Sequence, residues 1–374
     1  MRIGILTLPL HTNYGGLLQA YALQTVLERM GHEAAVLDTP NRKRILKWNY
    51  PLEILKRSIS KFLFRRPTRV FFEQWFNKTY PIISRNTQPF ITSYIHRLEI
   101  KGLNLLSPET FDAFVVGSDQ VWRPVYFTRM YDTSITDAYL AFARNWRIKR
   151  ISYAASFGTD DWEYSKEQTK ACSRFLQMFD AVSTRESSGA ELCKKHFGVD
   201  ATQVLDPTML LAKEDYVKLI KNSSTPKSKG NLLCYILDET KEKTDVIDFV
   251  AKSKELVPFK VNSKVGDFSL PVEERVQPSV ETWLRGFYDA DFVVTDSFHA
   301  CVFSILFQKP FVIVGNKERG LARFQSLLAT YGLEECLASG PESVKFTTID
   351  WEKVSTILND KRHDSLTFLR NALK

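Results

Sequence analysis

Short apolar runs that end in small or polar residues recur along the chain, separated by stretches whose apolar positions follow helical spacing. Residues 2–8, RIGILTL, form the first run and read as a buried strand. Residues 11–16 follow as a loop, and residues 17–30 as a helix with Leu18, Ala22, Val26 and Met30 on one face. Gly31 stops that helix, and residues 34–37 form the next strand. A strand, a glycine loop, a helix and a second strand make a crossover unit, which implies a parallel sheet. Runs at 111–116, 151–155 and 181–184 read the same way, each passing directly into small or polar residues. Open parallel sheets bind ligands at those C-terminal ends, so these loops are expected to line a cleft.

A polar, basic stretch, NSSTPKSKGN at residues 222–231, is broken by Pro226 and Gly230 and reads as a linker. Beyond it, strands at 232–237, 259–261, 292–295 and 310–314 alternate with helices at 240–254, 280–288 and 299–307, so a second parallel sheet is expected. The fold class is therefore α/β, with two Rossmann-like domains facing across a cleft. The first spans 1–221 and carries a basic insertion at 41–72 followed by an irregular stretch; the second spans 231–350. A last helix within 351–374 is expected to pack back on the first domain.

Composition narrows the function classes. The chain has 374 residues, 44% hydrophobic and 25% charged, which suits two globular cores and excludes disorder or collagen-like repeats. Its five cysteines are scattered without a CxxC pair, which argues against a disulfide framework or structural zinc. No HExxH or GxSxG motif occurs, and His299 with Cys301 makes too thin a set for a metal, so no metal and no resident cofactor are expected. The opening residues lack the apolar length of a signal peptide, and no stretch approaches a membrane span, so the expected location is cytoplasmic.

The formal charge is +8, and residues 41–70 hold ten basic side chains against one acid, Glu53. Trp48, Tyr50, Leu52, Leu55, Ile59, Phe62, Leu63 and Phe64 interleave with them. That mixture suits the inner face of an anionic membrane, or an insertion that packs its apolar side on its own domain. Nucleic acid is not expected, because no helix-turn-helix, RNP or zinc-finger pattern accompanies the charge.

Three loops carry candidate chemistry. In DFVVTDSFHACVFSILFQKP, a strand ends at Thr295-Asp296-Ser297 and a helix begins beneath His299, so a helix N-terminus faces the cleft and suits an anion. Asp296 or Ser297 would equally serve as a cap. HTNYGGLLQ, from His11, places Asn13, Tyr14, two glycines and Gln19 at another strand-to-helix turn, without a dinucleotide or P-loop pattern. GSDQVW, from Gly117, offers Asp119, Gln120 and Trp122, a mixture that suits a sugar, or a turn capped by Asp119 with Trp122 buried. Arg185, after the strand at 181–184, suits a carboxylate or phosphate, or a salt bridge with Glu186 or Glu191.

NYGGLLQAYALQ from Asn13, VVGSDQVWRP from Val115, ISYAASFG from Ile151, VSTRESSGAELCKKHFG from Val182, VLDPTMLL from Val204 and TDSFHACVFSILFQKPFV from Thr295 together resemble the polysaccharide pyruvyl transferase family. The resemblance runs in order from residue 1 to about residue 335. It implies a fold of the GT-B glycosyltransferase type, phosphoenolpyruvate as donor, and a sugar hydroxyl pair as acceptor, joined as a cyclic pyruvate ketal on a surface polysaccharide precursor that is often lipid-linked. Under that reading His299 is the general acid. Arg185, Ser297 and Arg323 hold the donor, and Asp119 is the base. Asn13, Tyr14, Gln19, Gln120 and Trp122 face the acceptor. Ser297 stands where many relatives have arginine, so that donor contact is lost, replaced by Arg185, Arg319 or Arg323, or organised differently in this subgroup. A nucleotide-sugar glycosyltransferase would use the same cleft, and a non-catalytic sugar-binding scaffold would need neither His299 nor Arg185.

Overall fold

The computed structural model describes residues 1–40, 50–64, 69–315 and 321–374. Its first sheet contains β1 (Arg2–Leu6), β2 (Glu33–Asp38), β3 (Arg97–Glu99), β4 (Ala113–Val116) and β5 (Lys149–Ser152), all parallel, in the order β3-β2-β1-β4-β5. A small parallel pair, β6 (Ser183–Thr184) and β7 (Thr202–Gln203), lies beside β5 through an Ala181–Ile151 bridge. The second sheet contains β8 (Leu232–Tyr235), β9 (Pro258–Phe259), β10 (Phe292–Thr295), β11 (Phe311–Val314) and β12 (Leu337–Ala338), again parallel, in the order β12-β11-β10-β8-β9. The two lobes are thus Rossmann-like. Strand order reverses beside β1 and β4 in one and beside β8 and β10 in the other, the points where such sheets open a crevice.

The strands that were easiest to anticipate are those covered on both faces. All four residues of β4, β8, β10 and β11 are buried, which is why they appear as unbroken apolar runs. The short edge strands β3, β7 and β12 had no such signature. The stretch expected to be irregular contains helices Phe72–Ile83 and Gln88–Tyr94, the first with Pro81 inside it. Residues 41–49 and 65–68 of the basic insertion, including Arg42, Lys43, Arg44, Lys47, Arg65 and Arg66, lie outside the described residues, as does Arg319.

The first helix, Tyr14–Arg29, begins three residues before its apolar periodicity because Asn13 accepts a hydrogen bond from Gly15 N and caps it. Its first turn meets the second lobe directly. Tyr14 stacks on Trp283 with 5.4 Å between ring centroids, and its hydroxyl donates to Val261 O and Pro278 O at 3.1 and 2.8 Å. One continuous apolar core therefore runs through both lobes. The last helix, Trp351–Leu373, also reaches the first lobe: Ser365 Oγ accepts from Leu205 N, and Arg362 donates to Met209 O and Leu211 O. Among the described residues, no helix is long and apolar enough to cross a membrane. All five cysteines are free and buried.

Candidate active site between the lobes

β10 delivers the chain to Asp296 and Ser297, and the helix Phe298–Leu306 starts there. Asp296 is not the cap. Its carboxylate accepts from Leu237 N, Asp238 N and the buried Lys243 ammonium, at 2.7, 3.1 and 2.7 Å, and so fixes the loop after β8. Ser297 holds the cap position without making a side-chain capping bond. His299 follows in the first turn, 8% exposed.

The ring of His299 lies against Gly15. A Cβ on Gly15 would stand 2.1 Å from His299 Nδ1, so only glycine lets the first helix of one lobe close on the imidazole of the other. Gly15 thus seats a side chain, while a Cβ on Gly16 would meet Asn13 at an ordinary 3.8 Å.

On its other side His299 faces an acid that sequence reasoning left without a role. Asp206 Oδ2 stands 3.6 Å from His299 Nε2, an ion-pair separation, and accepts from Arg185 Nη1 at 3.1 Å. Its Oδ1 accepts from Thr208 N and Thr208 Oγ1. Burial alone would raise the Asp206 carboxyl; His299, Arg185 and Thr208 reverse that and hold it well below the ordinary carboxylate range. The missed signal was the aspartate of VLDPTMLL: an acid in an otherwise apolar run is rarely buried without cationic partners.

Arg185 is almost wholly enclosed. Besides Asp206, it donates to Glu186 Oε1 at 3.1 Å and to Ser156 Oγ at 3.2 Å, and its guanidinium lies 4.3 Å from the centre of the Phe298 ring. Burial opposes its charge, but Glu186, Asp206 and Asp119 more than offset this, and its pKa is raised. Arg323 approaches the same ring at 5.9 Å, and burial together with the Arg185 charge pushes it down to about 10. Arg185, Asp206, Phe298 and Arg323 line a cavity of about 100 Å³, closed partly by Lys361 and Asp364 of the last helix. Asp119 contributes to the electrostatics of both arginines. It has a left-handed φ of 57°, and its carboxylate accepts from Gln120 N. The loop is tightly set: a Cβ at Gly117 (φ 133°) would lie 2.0 Å from Tyr153 O.

The structure thus brings together His299, Arg185 and Arg323, expected around the donor, with Ser297 at the start of the His299 helix and with Asp119, expected as the base on the acceptor side, close enough to act on both arginines. The expected acceptor residues divide. Asn13 is exposed and lines a cleft of about 960 Å³ with Lys260, Asn262 and Lys264 of the second lobe. There the Glu239 carboxyl is held down at about 2 by hydrogen bonds from Lys260 and Lys264. Gln120 is half-buried and accepts from Arg123. Tyr14, Gln19 and Trp122 must be corrected. Tyr14 is fully buried with its hydroxyl committed to two carbonyls. Gln19 is buried between Thr7, Gly16 and Ser118 N, and Trp122 stacks on Tyr139 and donates to Ala138 O. All three hold the scaffold. Among the described residues, no group of three or more His, Cys, Asp or Glu is arranged to hold a metal.

Two solved structures share the fold over their whole length. UDP-GlcNAc 2-epimerase from Neisseria meningitidis, bound to UDP-GlcNAc, is 10% identical with a TM-score of 0.50, covering 100% of this chain and 99% of its own. Arabidopsis thaliana UGT89C1, complexed with UDP-L-rhamnose, is 10% identical with a TM-score of 0.51, covering 98% and 97%. The architecture is that of the GT-B glycosyltransferases. No curated protein matches the chain in sequence. A profile of the polysaccharide pyruvyl transferases matches residues 13–318.

Proposed function

Since the chain belongs to the polysaccharide pyruvyl transferase family, we propose that this transferase moves the enolpyruvyl group of phosphoenolpyruvate onto two hydroxyls of a sugar and closes a cyclic pyruvate ketal. The sugar belongs to a bacterial surface polysaccharide precursor, lipid-linked at the stage of transfer. The observation that carries the reading is the meeting of His299, Asp206 and Arg185 between the lobes, with Arg323 across the Phe298 ring.

His299 donates a proton to the methylene carbon of the donor, which leaves positive charge at C2. The first sugar hydroxyl adds to C2 and gives its proton to Asp119; the C2–O bond to phosphate breaks and the phosphate leaves with that proton; the second hydroxyl adds and its proton returns to His299. One phosphoenolpyruvate and one diol give one ketal and one phosphate. Asp206 is a positioning residue that orients the imidazole, as the acid of a catalytic triad does. Arg185 and Arg323 face the donor anion from two sides, and the uncapped start of the helix at Ser297 adds backbone N–H groups. Phosphoenolpyruvate is a co-substrate, and the proposal uses no resident cofactor.

The test supplies purified protein with phosphoenolpyruvate and a panel of sugar acceptors, lipid-linked and soluble. The expected product is heavier than the acceptor by pyruvate less one water, with phosphate released in equal amount. Turnover of a nucleotide sugar on the same panel, without that product, would favour glycosyl transfer in the same fold.

A further inference from the structure

We propose that the helix Tyr50–Phe62 and the turn after it form a docking surface for an anionic lipid bilayer, holding the rim of the interlobe cleft beside the membrane. Leu52, Leu55, Ile59 and Phe62 recur at three- and four-residue spacing, so they form one stripe along the helix. The stripe faces away from the protein. Leu52 and Leu55 are each 56% exposed, Phe62 and Leu63 are 75% and 74% exposed, and the helix buries none of its residues. On the opposite side, Arg57 makes a two-pronged bond to Glu73 at 2.7 and 2.8 Å and tethers the helix to Phe72–Ile83. An amphipathic helix normally turns its apolar stripe inward; this one is anchored by a polar residue and presents its apolar stripe outward.

The tether leads to the cleft. Phe72 and Trp75 pack against Phe268 at 5.4 and 5.7 Å, and Arg69 and Arg275 lie over Trp75 at 4.0 and 5.2 Å. Phe268 belongs to the loop whose Val265, Asp267 and Leu270 line the 960 Å³ cleft. A bilayer met by the exposed stripe would therefore lie close to the cleft mouth.

Charge selects the occupant. Ten basic side chains and one acid fall within residues 41–70, while the rest of the chain is nearly neutral. A second copy docking through the same patch would oppose two strongly basic segments. An anionic bilayer instead neutralises them while it takes up the apolar stripe.

The full chain is floated with vesicles of phosphatidylcholine alone and of phosphatidylcholine mixed with phosphatidylglycerol. Flotation is expected with the mixed vesicles only, weakening as salt is raised. The double substitution Ile59→Asp, Phe62→Asp should lower the bound fraction about tenfold or more, with melting temperature and turnover of a soluble acceptor unchanged. Equal flotation of the two proteins, or none with the mixed vesicles, would overturn the proposal. So would a concentration-dependent dimer in light scattering that the substitution abolishes, which would assign the stripe to a second copy. Because flotation needs no turnover, this result stands or falls separately from the proposed chemistry.

Discussion

The loops after β1 and β10 occupy equivalent places, each following the central strand of a five-stranded sheet and each starting a helix at the lobe interface, yet they are built oppositely. The first is saturated: Asn13 caps its helix, Tyr14 spends its hydroxyl on two carbonyls, and Gly15 removes a side chain so that His299 fits. The second is open. Ser297 makes no side-chain cap, and His299 Nε2 is buried with Asp206 Oδ2 facing it at 3.6 Å, beyond hydrogen-bond distance, and no closer partner among the described residues. A buried polar atom without a partner is costly unless a ligand completes it. One loop therefore builds the seat, and the other brings the chemistry to it.

Removing the charge that joins the two lobes should have the largest effect. Asp206→Asn leaves Arg185 and His299 buried beside a neutral amide and should destabilise the fold by about 3–5 kcal/mol in chemical denaturation. The acid limb of the stability profile should change as well. A carboxyl whose folded pKa is depressed contributes stability that is present above its unfolded pKa, about 3.9, and is lost as pH falls toward the folded value. Wild type should therefore lose stability below about pH 4 more steeply than Asp206→Asn, and parallel profiles would remove Asp206 from its role.

Gly15→Ala comes next. The added methyl overlaps the imidazole, so a cost of about 1–3 kcal/mol in thermal or urea unfolding is expected, with turnover down about 10²-fold from a misplaced His299. Unchanged kinetics would mean that the two loops do not cooperate. Tyr14→Phe should cost about 1–3 kcal/mol, since two carbonyls lose a buried donor, while acceptor KM stays the same. A raised KM with normal stability would return Tyr14 to the acceptor site. The smallest effect is expected from Ser297→Ala: a change in stability under about 0.5 kcal/mol and a few-fold rise in KM for phosphoenolpyruvate.

Much of this architecture was legible in the sequence, for physical reasons that also explain the failures. β10 reads as FVVT because both faces are covered, and the turn into His299 follows from the strand's end. Arg185 and His299 were singled out because polar residues at strand ends face a crevice. Asp206 was not, because its importance depends on the pairing of β6 with β7, which brings residues 185 and 206 together, and on His299 arriving from the other lobe. Tyr14 and Trp122 misled for the reverse reason. Their loops are at the cleft, but their polar atoms are taken by carbonyls of Val261, Pro278 and Ala138, partners that local spacing does not reveal.

The account's central claim is that the imidazole at 299 supplies the proton for pyruvyl transfer. The most direct measurement is phosphate release from phosphoenolpyruvate in the presence of a competent sugar acceptor, compared between wild type and His299→Ala at equal folded concentration. A fall of about 10²–10⁴ in turnover with a retained melting transition is predicted; turnover close to that of the wild type would contradict it.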